Sequence, residues 1–322
     1  MKKQILKKLI IIGLILSFFS LSASAVIVEN STDNDKSQYA LLIGYGAGSI
    51  TVTKDAVDMK NLLLKFGWKE ENIKSVLAMS ATKENIIEAI TGWLDTKEQS
   101  NDDVLIYFSI HGGRFYEADV NDEQHLDEPD KKDEFICPVD FVLRYPSWPF
   151  TPFGCEYSLA IIDEELEETI SILESENIAV IFESCFSGGM IDGEQDLAKP
   201  GRVILTSSES DKPSLFSKYS MRAYFTKNLI DGLEGEADKK ENGGNGDKKV
   251  SLQEAFNYAK PRTTEDVQNR YDESQIPQIY NGYGSEFNII DLKKKKKSKE
   301  IQSKTSFIIS KIVKRLLERV FF

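Results

Sequence analysis

Histidine and cysteine are the scarce residues of this 322-residue chain, which has two of the first and three of the second. So few histidines leave little choice of general base. An odd number of cysteines cannot all pair within one chain, so one thiol stays unpaired or pairs between chains. Positive charge is also short, with 40 Lys and Arg against 52 Asp and Glu for a net charge of −12. The ends are basic, +4 over residues 1–25 and +9 over 292–322, so residues 26–291 carry −25. A body that acidic repels polynucleotides, which excludes nucleic acid as a partner and favours cationic substrates or bound cations. No internal repeat is visible, which excludes a solenoid.

What is present begins with a processing signal. Met1 to Lys8 supplies a basic start, Leu9 to Leu21 is an apolar run, and Ala23-Ser24-Ala25 has the form of a signal-peptidase site. The reading is a signal peptide over 1–25, cleaved after Ala25, then a linker over 26–37. The alternative, an uncleaved anchor, would likewise put the following residues outside the cytoplasm. Localisation is therefore expected to be secreted or at the extracytoplasmic surface.

Hydrophobic residues make up 41% of the chain, enough for a sizeable core. Short apolar runs alternate with helical periodicity. Tyr39 to Gly44, Ile73 to Met79, Val104 to Ile110, Ile178 to Phe182 and Val203 to Thr206 read as strands. Between and after them, Asp55 to Phe66, Lys83 to Leu94, Glu164 to Leu173, Met221 to Leu233 and Leu252 to Ala259 read as helices. Such alternation predicts an α/β domain over 38–291, three layers αβα around a mostly parallel central sheet. A basic linker over 292–305 leads to a last helix over 306–322. There, apolar residues from Phe307 to Phe321 lie opposite Lys311, Lys314, Arg315 and Arg319. A helix of that pattern suits peripheral contact with an anionic membrane surface and is too polar to span it.

Two strand ends carry the chemistry. One run stops at His111-Gly112-Gly113 and the other at Glu183-Ser184-Cys185-Phe186-Ser187-Gly188-Gly189. Parallel strands deliver such residues to one edge of a sheet, where ligands bind in open α/β folds. His125 lies in an acidic, polar stretch and is read as solvated. Cys137 and Cys155 flank an aromatic, proline-rich excursion and are expected to close it as a disulfide. That leaves Cys185 as the remaining thiol.

These blocks resemble the caspase–hemoglobinase superfamily of cysteine peptidases, in particular its metacaspase-like and legumain-like members. Asp55-Ala56-Val57-Asp58-Met59 and Phe135-Ile136-Cys137-Pro138-Val139-Asp140 are further matches, and the resemblance spans about 38–290. The Gln-Ala-Cys-x-Gly signature of true caspases is absent. The resemblance implies a peptide or protein substrate and no cofactor for the chemistry. It makes Cys185 the nucleophile and His111 the proton carrier, with the backbone amides of Gly112 and Cys185 as oxyanion hole. Glu183 matches the acidic position of the pocket for the residue preceding the cut, which with Ser207 and Asp211 favours Arg or Lys. An asparaginyl, legumain-like peptidase is the alternative within the class, although the Arg-His pair of that group is missing near the first helix. A catalytically silent surface-binding module is the alternative outside it.

A cation is expected as activator or structural ion, since metacaspase-like relatives often depend on calcium. Asn245, Asp247 and Glu254 can be aligned with a calcium loop that ends in a bidentate Glu. Gly243 at the first ligand position and Lys248 at the turn glycine depart from that pattern.

Overall fold

The computed structural model describes residues 36–45, 50–116, 132–144, 157–193, 196–217 and 219–296. The expected signal peptide, His125, Cys155 with its disulfide, and the helix over 306–322 lie outside the described residues.

Strands β1 (Gln38–Tyr45), β2 (Ile73–Leu77) and β3 (Asp103–Tyr116) form the first half of the main sheet. Then come β4 (Lys132–Cys137), β5 (Ile161–Ile162), β6 (Asn177–Glu183) and β7 (Arg202–Thr206). A small hairpin pairs β8 (Phe216–Ser217) with β9 (Arg222–Ala223), and β10 (Lys249–Ser251) pairs with β12 (Asn288–Asp291). The main row runs β2-β1-β3-β6-β7-β11, where β11 is Gln278–Asn281. The pairs from β2 to β7 are parallel, and β11 closes that edge antiparallel to β7. The row thus has the predicted mostly parallel form.

Residues on each strand alternate between two buried faces. Leu41, Ile43, Ile106, Phe108, Val180, Phe182 and Ile204 point to one core. It is covered by α2 (Lys83–Glu88, continued by a wider turn to Leu94) and α4 (Asp163–Ile170). Ala40, Leu42, Leu105, Tyr107, Ile181, Val203 and Leu205 point to the other. There α1 (Ile50–Lys65), α5 (Tyr224–Asp231) and α6 (Leu252–Gln268) pack on the sheet. A further short helix, α3 (Val139–Arg144), follows β4.

Three departures from the sequence reading have physical causes. The strand read as stopping at His111 continues to Tyr116, leaving the parallel sheet to pair antiparallel with β4. Gly112 and Gly113 are the seam of that change, not its end. The helix over 252–259 runs on to Gln268, with Pro261 inside it. The basic stretch read as a linker from 292 begins docked: Lys296 N–H donates to Lys65 O at 2.7 Å, and Lys295 Nζ lies 5.9 Å from the Phe66 ring centre. Among the described residues no helix is long and apolar enough to cross a membrane.

Candidate active site

Register places the two reactive side chains together. On the adjacent parallel strands β3 and β6, Ser109 stands opposite Glu183. His111 and Cys185 each follow by two residues, so both leave the sheet at the same level. The backbone there is in contact: a Cβ added to Gly112 would stand 2.3 Å from Cys185 O and 3.2 Å from Ser184 Cβ. Only glycine lets the strand after His111 approach the Cys185 loop so closely. The Gly112 and Cys185 amides assigned to an oxyanion hole thus belong to two abutting stretches.

The loop around Cys185 is held by serines. Ser184 N–H donates to Ser207 Oγ at 3.1 Å, while the Ser207 and Ser208 hydroxyls donate to Ser184 O at 3.1 and 3.2 Å. Ser187 Oγ accepts from Ser207 N–H at 3.2 Å. Phe186 then adopts a left-handed conformation at φ 61°, ψ 13°, a local cost found at functional turns. The Arg114 guanidinium, 4.8 Å from the Phe186 ring centre, and the Phe186 N–H bond to Lys212 O at 2.9 Å hold that turn. Cys185 itself faces Ser214, whose N–H lies 3.4 Å from Sγ and whose carbonyl lies 3.7 Å from it.

Burial sets the protonation of both groups. It lowers the His111 imidazole below its ordinary 6.5 and raises the Cys185 thiol above 9.0, with Glu183 adding to the latter and the Ser214 N–H opposing it. At neutral pH the resting pair is therefore a neutral imidazole and a thiol.

Glu183 lies under the same wall and is 4% exposed. Its Oε2 accepts from Thr226 N–H and Thr226 Oγ1, both at 2.8 Å, and its Oε1 accepts from Ser214 Oγ at 2.5 Å. Thr226 is the third residue of α5, where backbone N–H groups lack helical partners and an anion is favoured. Burial still raises the Glu183 carboxyl, against these bonds. Beside it lies Asp55, fully buried on α1, whose Oδ2 accepts from Ala223 N–H at 3.0 Å. Burial first, and Glu183 second, push its carboxyl up to about 8.

Asp55, which the sequence presents only as part of a matching block, falls on the apolar face of α1 with Met59 and Leu62. An acid on a buried helix face was the available signal. Ser207 proves to be fully buried, its hydroxyl spent on Ser184, so it supports the loop and does not line a pocket. Asp211 stays exposed, 3.9 Å from Lys212 Nζ.

The residues aligned with a calcium loop form a capped turn. Glu254 closes a capping box with Ser251 and also accepts from Asn245 N–H at 3.1 Å. Asn245 Oδ1 accepts from Asp247 N–H at 2.9 Å and Asp247 Oδ1 from Lys249 N–H at 2.7 Å. Their oxygens are engaged with the backbone, and the three do not fit a cation site. Among the described residues no three His, Cys, Asp or Glu side chains are arranged as ligands. Asp163, fully buried at the start of α4, is the other acid to consider. Burial and its neighbours Glu164, Asp196 and Glu134 raise its carboxyl well above the ordinary range. A cavity of about 660 Å³ between Ile170–Ile178 and Lys199–Arg202 lies at the opposite ends of β6 and β7, away from this chemistry.

Comparison with known proteins places this arrangement. Residues 39–194 match the family model described as "Metacaspase, peptidase C14 domain". Metacaspase-1A of Neurospora crassa is 29% identical over 147 residues, 42% of this chain and 28% of that protein. Metacaspase-1 of Saccharomyces cerevisiae is 28% identical over 147 residues, covering 43% and 29%, and that of Yarrowia lipolytica is 34% identical over 113 residues, covering 34% and 20%. The chain thus spans less than a third of the length of these relatives. A solved structure, protein GSU0716 from Geobacter sulfurreducens, covers 77% of this chain and 94% of its own at 16% identity, with a TM-score of 0.49, and carries no weight in the assignment. The matched residues, just under half of the chain, contain both His111 and Cys185, and over them the chain is similar to the metacaspase peptidase C14 domain.

Proposed function

We propose that the protein is a cysteine endopeptidase that cuts after Arg or Lys. The observation that carries this reading is the register of β3 and β6, which brings His111 and Cys185 off adjacent strands at one level. A neutral imidazole takes the Sγ proton as sulfur attacks the scissile carbonyl, and the oxyanion that forms is held by the Gly112 and Cys185 amides. The imidazolium gives its proton to the leaving amine, which leaves a thioester. Water, deprotonated by His111, then releases the acid and restores the thiol. Since the lowered His111 must be neutral to start, the acid limb of kcat/KM falls below pH 6.5.

Glu183 and Asp55 are the acids for the basic side chain, because a guanidinium or ammonium is the partner that two adjoining buried carboxyls lack. The purified protein is to be assayed on peptides with Arg, Lys, Asn or Asp before the cut, beside a Cys185→Ala control. Arg and Lys cleavage that vanishes in the control is expected. Cleavage after Asn alone would move the protein to the legumain-like reading, and silence in a folded sample would favour the binding module.

Calcium enters as a regulator in this proposal, and buried Asp163 is the acid to test for it in preference to residues 245–254. The strongest charged neighbours of Asp163 are acids, so protons or a cation must neutralise it. The same assay with calcium or chelator, repeated on Asp163→Asn, tests this: an unchanged calcium response in the variant sinks the assignment. Secretion through residues 1–25 is checked by finding Val26 at the N-terminus of the exported protein. Membrane contact through 306–322 is checked by liposome pelleting with and without residues 293–322.

A further inference from the structure

One buried side chain connects the nucleophile to the acid wall, and the mechanism above does not use it. Gln275, fully buried between α6 and β11, makes three hydrogen bonds. Its Oε1 accepts from Leu215 N–H at 2.9 Å, and its Nε2 donates to Ser207 O at 2.8 Å and to Ser214 Oγ at 3.1 Å. The amide can be oriented only one way, since Leu215 N–H can only donate and Ser207 C=O can only accept. Nε2 therefore donates to Ser214 Oγ, and the single hydroxyl proton of Ser214 is left to point at Glu183 Oε1, 2.5 Å away. The backbone of the same Ser214 faces Cys185 Sγ through both its N–H and its carbonyl.

We infer that Gln275 is a positioning residue of the active site: through the Ser214 hydroxyl it sets the orientation of Glu183, and through its hold on Leu215 N–H it keeps the Ser214 backbone against the Cys185 thiol. Ser207, another partner of Gln275, holds Ser184, so the amide braces the nucleophile loop from both sides. The inference rests on the peptidase reading for its consequences in catalysis, but its geometric content concerns the thiol alone. The charged group that bears on that thiol is Glu183, at the end of β6 two residues before it, and the titratable group at the same level of the sheet is His111 on β3. Loss of Gln275 frees the segment 212–215, loosens the Ser214 N–H from sulfur and raises the thiol further.

The test measures alkylation of Cys185 by iodoacetamide against pH, followed by mass spectrometry of the Cys185 peptide, together with kcat and KM on Arg and Asn peptides. Gln275→Leu is expected to move the alkylation midpoint upward by about half a pH unit or more, and to raise KM for Arg peptides about tenfold, as for one lost bond to a charged group. Ser214→Ala keeps the backbone N–H and carbonyl but removes the hydroxyl. It is expected to raise KM for Arg peptides while its alkylation midpoint stays with that of the parent. Gln275→Glu keeps the bond from Leu215 and loses both donors, and serves in the same way if the Leu variant does not fold. A folded Gln275 variant with an unshifted alkylation midpoint overturns the inference. Failure of the parent protein to cleave any peptide would instead overturn the peptidase reading, and the alkylation result would stand apart from it.

Discussion

Glu183 and Asp55 lie side by side, and their surroundings treat them differently. Glu183 accepts three hydrogen bonds, from Ser214 Oγ, Thr226 N–H and Thr226 Oγ1. Tyr107 extends this network, since its hydroxyl lies 2.7 Å from Thr226 Oγ1, and either hydroxyl can donate to the other. Asp55 receives one bond on Oδ2 and takes its proton at about pH 8. The two neighbouring acids thus differ: three donors oppose burial at Glu183, while Asp55, with one, holds its proton at neutral pH. A bound Arg side chain favours the ionised form of Asp55 and so expels that proton. KM for Arg peptides is therefore expected to fall as pH rises toward 8 and to level off above it, with no such slope for Asn peptides. Asp55→Asn should remove the slope and raise KM at pH 8.5 about tenfold, the loss of one charged partner. A variant that keeps the parental slope would place the titrating group elsewhere.

Elements, more than residues, decide how legible the site was. The strands β1, β3, β6 and β7 could be read as apolar runs because they are buried on both faces and rich in Ile, Val and Phe. The His-Gly-Gly and Cys-x-Ser-Gly-Gly blocks at their ends could be read because the reactive groups stand next to glycine. Short partners such as β5, β8 and β9 have two residues each and leave no periodic trace. Gln275 acquires its role from contacts 60 or more positions away, and Ser207 from Ser184, 23 positions away, which no local pattern carries. Gly112 illustrates the limit: its sequence marks a turn, and only the fold shows that it is a point of contact. Gly112→Ala would set a methyl 2.3 Å from Cys185 O, so β3 or the nucleophile loop must shift. The expected result is a folded protein with kcat/KM down about 100-fold, the scale of a misplacement near 1 Å. Full activity in that variant would mean that the two stretches separate without cost, against the packing described.

At the scale of the whole molecule, buried carboxyls and surface charge act in the same direction. Burial is the first cause that raises Asp55, Glu98 and Glu183, so each holds its proton more tightly folded than unfolded. Stability from such a group is fully present below the ordinary carboxylate range and is lost as pH rises through the folded value. For Asp55 that window runs from 3.8 to about 8. The −25 carried by residues 26–291 adds self-repulsion that grows over the same range. His111 opposes them, because burial lowers it and the unfolded chain takes a proton below pH 6.5 that the folded chain resists. Three groups and the net charge outweigh one imidazole, so Tm should be higher at pH 5.5 than at pH 8. Asp55→Asn should flatten the decline, with its gain over the parent increasing up to about pH 8 and constant beyond. Added salt should raise Tm more at pH 8 than at 5.5, since it screens the repulsion and leaves the buried carboxyls untouched. A parent Tm that climbs from pH 5.5 to 8 would mean that these carboxyls ionise without penalty, and the protonated Asp55 of the resting site would have to be abandoned with them.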